Sequence, residues 1–150
     1  MRVFHGLDEL EPAVGSVLGT SQWFDITQQR IDGFADSTSD HQWIHVDPVR
    51  AGTGPFGATI AHGFLTLSLI PVLSGQIWRV EGASLAVNYG TDKVRFLNPV
   101  PVDSRIRAHA RLDAVKPNRL GKVVSVSYTL ELEKDLKTAC VATSLTVFAQ

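Results

Sequence analysis

The chain changes rhythm near residue 82. Beyond it, apolar and polar residues alternate in strand fashion. Over 104–114, Ile106, Ala108, Ala110, Leu112 and Ala114 fall on one side, and Arg105, Arg107, His109, Arg111 and Asp113 on the other. Over 122–133, Val124, Val126, Tyr128, Leu130 and Leu132 alternate with Ser125, Ser127, Thr129, Glu131 and Glu133. A turn at 116–121 separates these strands, and a second turn at 133–137 leads into a final strand at 138–149. Residues 83–90 and 92–98 predict two further strands around a Gly90-Thr91 turn.

Before residue 82 the pattern is different. A short strand-like piece, Ser16-Val17-Leu18, lies between Gly15 and Gly19, and 21–26 predicts a strand ending at Asp25. Thr27 is a helix N-cap. The helix it opens runs through Gln28, Arg30, Ile31, Phe34 and Ala35, with Ile31, Phe34 and Ala35 on one face. A polar loop follows at 36–42, and a second short helix starts near Asp47-Pro48, where proline suits a first turn. In 61–76, Phe64, Leu65, Leu67, Leu69, Ile70, Val72 and Leu73 fall all round a helical wheel. A helix apolar on every side is surrounded by protein. Pro71 should kink this one or restrict its regular length.

Long antiparallel strands need an apolar layer over one face, and only 61–76 can supply it. The expected fold is therefore α+β, a curved antiparallel sheet wrapped around one central helix. Such a sheet has open edges and covers its helix incompletely. Edge-to-edge homodimerisation answers both problems.

Composition narrows the function classes. At 150 residues the chain is long enough for one domain, spanning 1–150, and short for two. Hydrophobic residues are 44% and charged residues 19%, which excludes the signature of a disordered chain. Fourteen Lys and Arg against fifteen Asp and Glu give a net charge of -1, with no basic field to attract nucleic acid. A single cysteine, Cys140, excludes an intramolecular disulfide framework and a cysteine-based zinc site. It sits in a strand pattern and reads as a small buried residue in a cytoplasmic protein. Asp8, Glu9 and Glu11 interrupt any secretory apolar run. Residues 51–78 lack Asp, Glu, Lys and Arg, yet their first half is glycine-rich loop and the remainder is short of the ~20 apolar residues a membrane span needs. No membrane partner is expected.

Two clusters carry candidate chemistry: Asp40-His41-Gln42-Trp43-Ile44-His45-Val46-Asp47 and Gly57-Ala58-Thr59-Ile60-Ala61-His62-Gly63-Phe64. His41 and His45 have i, i+4 spacing, but Gln42 stands where a zinc-protease helix has glutamate, and no third ligand follows at a recognised spacing. No metal is expected. Asp40 and His45 suit an acid–base pair, the imidazole titrating near neutrality and the carboxylate orienting it or sharing a water. Gly63, at the start of the apolar helix, can offer an unpaired N–H to a developing oxyanion. Such a set suits chemistry alpha to a carbonyl. Structural explanations stand beside it: Asp40 capping a turn, His45 a satisfied core histidine, Gly63 a close-packing position. Trp43 and Ile44 read as core. The Arg105, Arg107 and Arg111 row reads as a solvated face, with ligand phosphates as the alternative.

These two clusters, with Gly54-Pro55-Phe56-Gly57 between them and Val94-Arg95-Phe96-Leu97-Asn98-Pro99-Val100 after the helix, resemble the MaoC-like dehydratases, which include the R-specific enoyl-CoA hydratases. The Gln42-Trp43 variant is similar to the nodulation-protein-N branch and to single-domain mycobacterial R-hydratases. The resemblance covers roughly 20–149. It implies a hot-dog fold, a dimer, an acyl tunnel beside the central helix, and hydration of trans-2-enoyl-CoA to (R)-3-hydroxyacyl-CoA. Asp40 and His45 match the catalytic pair and Gly63 the oxyanion donor; Gln42 and His62 join them as substrate-binding positions. Gln42 stands where many R-hydratases carry the asparagine that positions the pair. An acyl-CoA thioester is the implied partner and no cofactor is implied. A hot-dog thioesterase and a non-catalytic acyl-thioester binding protein remain the alternatives.

Overall fold

The computed structural model describes residues 1–149. Its strands and helices, in chain order, are β1 (Arg2–Phe4), β2 (Val17–Thr20), β3 (Phe24–Ile26), α1 (Gln28–Thr38), α2 (Trp43–Val46), α3 (Pro48–Gly52), α4 (Gly63–Ser68), α5 (Ile70–Ile77), β4 (Trp78–Val80), β5 (Leu85–Phe96), β6 (Ser104–Asn118), β7 (Gly121–Leu132) and β8 (Thr138–Ala149). Two short 3-10 turns precede β2.

The main sheet is antiparallel in the order β2-β6-β7-β8-β5, with β3 pairing further along β6. Ile106, Ala108, Ala110 and Leu112 of β6, Val124 to Leu132 at alternate positions of β7, and Ala139, Cys140 and Ala142 of β8 are buried. Against this face pack Leu65, Leu69, Ile70, Leu73 and Ile77 of α4 and α5, closed from the other end by Phe4, Leu7 and Leu10. A curved antiparallel sheet around a central helical segment is the hot-dog arrangement that the sequence led us to expect.

Several local expectations change. The central apolar segment is two helices: α4 ends at Ser68, Leu69 caps both, and α5 begins with Pro71 in its first turn, where the missing N–H costs nothing and where the expected interruption falls. The segment is also not enclosed on every side. Phe64 is 69% and Val72 46% exposed, because one copy of the sheet does not reach around to them. Gly90-Thr91 makes no turn. Residues 85–96 form one strand, whose irregularities are absorbed as register shifts at 88–90 and 92–95. On β6 a similar shift after Leu112 leaves Ala114 only half-buried, and the strand continues to Asn118, so the turn is just residues 119–120. Helix α1 runs three residues into the stretch read as polar loop. The parallel pair β1–β4 had no signal in the sequence, each strand being three residues long.

The arginine row is occupied. Arg105 pairs with Glu133, Arg107 and His109 with Glu131, and Arg111 with Asp113. Arg107 also lies over the Trp23 ring at 4.4 Å. Each guanidinium already has a carboxylate, which is the solvated-face reading and not a phosphate site. Cys140 is fully buried, and burial pushes its thiol up to about 11.

Candidate active site

The linker after α1 begins with a turn that only a few residues adopt readily. Ser39 takes the left-handed conformation that ends the helix, and Asp40 follows in the exposed link before α2. Trp43–Val46 then makes a single helical turn, closed by the His45 N–H donating to the Gln42 carbonyl at 2.9 Å. The sequence offered no helical signal here. The turn swings the His45 ring inward, leaving it 7% exposed, while Trp43 and Ile44 are half-buried rather than core. Trp43 instead lies against Gly54, where an added Cβ would come 2.9 Å from the ring.

His45 is fixed from three sides. Its Nδ1–H donates to the Ile60 carbonyl at 2.6 Å, leaving Nε2 free. The Ile60 N–H returns a bond to the Ile44 carbonyl at 3.0 Å, and residues 59–61 are laced to 100–102 by further main-chain bonds. Gln28 of α1 donates to the His45 carbonyl at 2.8 Å and accepts from the buried Thr59 hydroxyl. Burial lowers the His45 pKa; the bond to Ile60 raises it, His62 lowers it and Asp40 raises it, and the net direction is down.

His45 lines an open cavity of about 310 Å³ with Phe56, Ile60, Gly63, Thr66 and Phe96. Gly63 opens α4, and no acceptor for its N–H is present among the described residues. A Cβ at position 63 would lie 2.9–3.0 Å from the Phe96 ring, so the glycine also serves close packing. An unpaired N–H and a close packing contact thus occur together at this residue.

Asp40, His45 and His62 each present a ligand-capable atom within 4.8 Å of the other two. Spacing along the chain did not bring His62 into this group. It does not line the cavity; it lies behind His45 with its ring stacked on it, centroids 3.7 Å apart and planes 24° from parallel. Its Nε2–H donates to the Asp40 main-chain carbonyl at 2.9 Å. The position read as substrate-binding therefore faces the pair and not the cavity. A metal held by this set would have to lie in the plane of both rings at about 2.0–2.1 Å from each nitrogen. Face-to-face stacking does not allow that. His41 is not part of the group, since its ring points outward to Asp36 at 2.9 Å. Gln42 is exposed, and its side chain makes no hydrogen bond among the described residues. Thr59, Ile60 and Phe96 stand in the quoted motifs and Gln28 in the first helix, but sequence reading assigned none of them a role at the site. Ile60 acts through its main chain, and the others are ordinary residue types far apart in the sequence.

The fold is that of a hot-dog protein, with His45 on an open cavity beside Gly63 and Asp40 close to it. The MaoC like domain model matches residues 9–134, and the chain belongs to that family. It is 53% identical over 146 residues to 3-hydroxyacyl-thioester dehydratase Z of Mycobacterium tuberculosis (strain ATCC 25618 / H37Rv), covering 97% of each chain. It is 39% identical over 144 residues to Nodulation protein N of Rhizobium leguminosarum bv. viciae, covering 94% of this chain and 89% of that one. Among solved structures, R-hydratase PhaJ1 from Pseudomonas aeruginosa superposes with a TM-score of 0.75 at 20% identity, covering 91% of this chain and 82% of that one.

Proposed function

We propose that this chain reversibly hydrates trans-2-enoyl thioesters to (R)-3-hydroxyacyl thioesters, with Asp40 and His45 as the acid–base pair. The observation that carries this is the free Nε2 of a firmly held His45 on the Gly63 cavity, with Asp40 beside it. The 53% identical relative is named a 3-hydroxyacyl-thioester dehydratase, which supports a hydro-lyase. Water sits between Asp40 and His45. His45 accepts its proton as the oxygen bonds to C3, and the C2–C3 π pair moves toward the thioester. The Gly63 N–H stabilises the oxygen that gains charge; a donor of this kind contributes about 3–4 kcal/mol. Asp40 orients the water and helps pass the proton taken by His45 on to C2, so that water adds as OH at C3 and H at C2, the pair ends as it began, and the step uses no metal or organic cofactor.

The CoA thioester is the substrate's handle, and the working unit is a homodimer of one-domain chains in the cytoplasm. Edge strand β5 supports the dimer, since Leu85, Val87, Tyr89 and Phe96 are exposed along it. No helix is long and apolar enough to cross a membrane among the described residues.

The test follows loss of the conjugated enoyl absorbance with crotonyl-CoA and a longer trans-2-enoyl-CoA. Asp40→Asn and His45→Gln should each lower turnover by about 10²–10⁴-fold with the thermal midpoint unchanged. The product should be refused by an S-specific 3-hydroxyacyl-CoA dehydrogenase. Near-native hydration in either variant overturns the assignment. Release of free thiol in its place would make the protein a thioesterase.

A further inference from the structure

His62 is a buried titratable group beside the Asp40–His45 pair that the hydration reading leaves without a task. It is 3% exposed and stands at the N-cap of α4, where its carbonyl accepts from the Thr66 N–H and hydroxyl. Its ring also meets Phe34 of α1, with centroids 5.0 Å apart. The bond to the Asp40 carbonyl requires a proton on Nε2. Nδ1 then carries a lone pair, buried and without a partner among the described residues. An unpaired buried acceptor is a cost, and a side chain without it would pack here at less expense. What a histidine adds is the combination of a flat ring to lie against His45 and an N–H donor that reaches Asp40. Leucine supplies neither, phenylalanine only the ring, and glutamine only the donor.

We propose that His62 is a positioning residue for the Asp40–His45 pair, its Nε2–H holding the Asp40 main chain and its ring holding the plane of the His45 imidazole. This rests on the reading of Asp40 and His45 given above. Asp40 lies in an exposed link just after a left-handed turn, and its carboxylate makes no hydrogen bond among the described residues. Its carbonyl is therefore the handle by which the interior sets its place. A residue acting in this way changes turnover and leaves substrate binding alone, because it does not touch the cavity.

The experiment compares His62→Leu, His62→Phe and His62→Gln with the wild type, using crotonyl-CoA. A misplacement of about 1 Å in a reacting group costs on the order of 100-fold, which is the expected loss of kcat in His62→Leu with KM within about twofold. His62→Phe and His62→Gln each keep one contact and should each recover about 10-fold of that loss. The decisive readout is the double variant. In an Asp40→Asn background, His62→Leu should cost about 10-fold instead of about 100-fold, because of the two groups it positions only His45 still functions. Equal loss in both backgrounds, loss confined to KM, or kcat within twofold of wild type in His62→Leu and His62→Phe each overturns the proposal. Thermal unfolding of the same variants identifies any that fail to fold, and His62→Gln, the closest in polarity, carries the test if His62→Leu does. Should Asp40→Asn and His45→Gln themselves retain activity, it is the acid–base reading that fails, and the result is recognisable as such.

Discussion

Strands β5 and β7 are both 12 residues long, and they live in opposite conditions. β7 lies between β6 and β8, and from Val124 onward every second residue is buried. β5 is bonded only to β8, and only Val94 among its residues is even half-buried. The two strands differ in register as well. β7 runs against β8 with a single irregularity near its end, whereas β5 breaks step twice within eight residues, at 88–90 and 92–95. A strand with neighbours on both sides and a helix beneath it has one register that buries its apolar set. An edge strand has fewer constraints and can bend, which here brings Phe96 over Gly63 beside His45. Stability is concentrated in the centre of the sheet, and the candidate chemistry lies where the end of its free edge meets α2 and α4.

Four substitutions and one change of condition would break or sharpen this contrast. Leu130→Ala in β7 removes a side chain with no exposure, and should lower stability by about 2–5 kcal/mol in denaturant titrations. Tyr89→Ala in β5, at 66% exposure, should change single-chain stability by less than about 0.5 kcal/mol. It should instead weaken self-association, read by sedimentation velocity. Equal losses of stability at the two positions would remove the distinction between centre and edge.

A smaller effect is expected at the contact between edge and helix. Gly63→Ala places a methyl 2.9 Å from the Phe96 ring. That ring sits on an exposed edge and can yield, so the fold should survive while kcat falls by about 10-fold through displacement of the 63 N–H. Phe96→Leu in the same chain should return part of the loss. If Gly63→Ala lowers stability but leaves kcat untouched, glycine is there for packing alone.

The smallest effect is a displacement of the pH profile. Burial is the main influence on His45 and favours its neutral form; the Ile60 bond opposes this, His62 adds to it and Asp40 opposes it. The net lowering means that His45 protonates only below the ordinary imidazole range. As a base it must be neutral, so the acid limb of kcat/KM against pH should lie below that range and not within it. An acid limb above it would mean that the Asp40 charge outweighs burial.

The central strands and the Thr27-capped helix were legible because their residues obey a repeat that physics enforces, period 2 over a half-covered sheet and i, i+3, i+4 along a helix. Gly90-Thr91 misled for a reason of the same kind. Glycine usually ends a strand, but an edge strand tolerates a bulge there. The single turn of α2 escaped because four residues carry no period, although that turn is what aims His45 inward. At the site, Asp40, His45 and Gly63 were legible as residue types in a family pattern. The Ile60 carbonyl was not, since any residue supplies one.

The amino-acid sequence by itself determined the sheet, the apolar segment beneath it, and the identity of the acid–base candidates, because each of these is written in local periodicity or in residue chemistry. Only the tertiary structure decided that His62 stacks on His45 and bonds the Asp40 carbonyl, and that β5 is one strand left open along its length. These features depend on contacts between positions 17 to more than 50 residues apart, as between His62 and His45 or β5 and β8, and on how far one copy of a curved sheet can reach. Neither is encoded in the order of neighbouring residues.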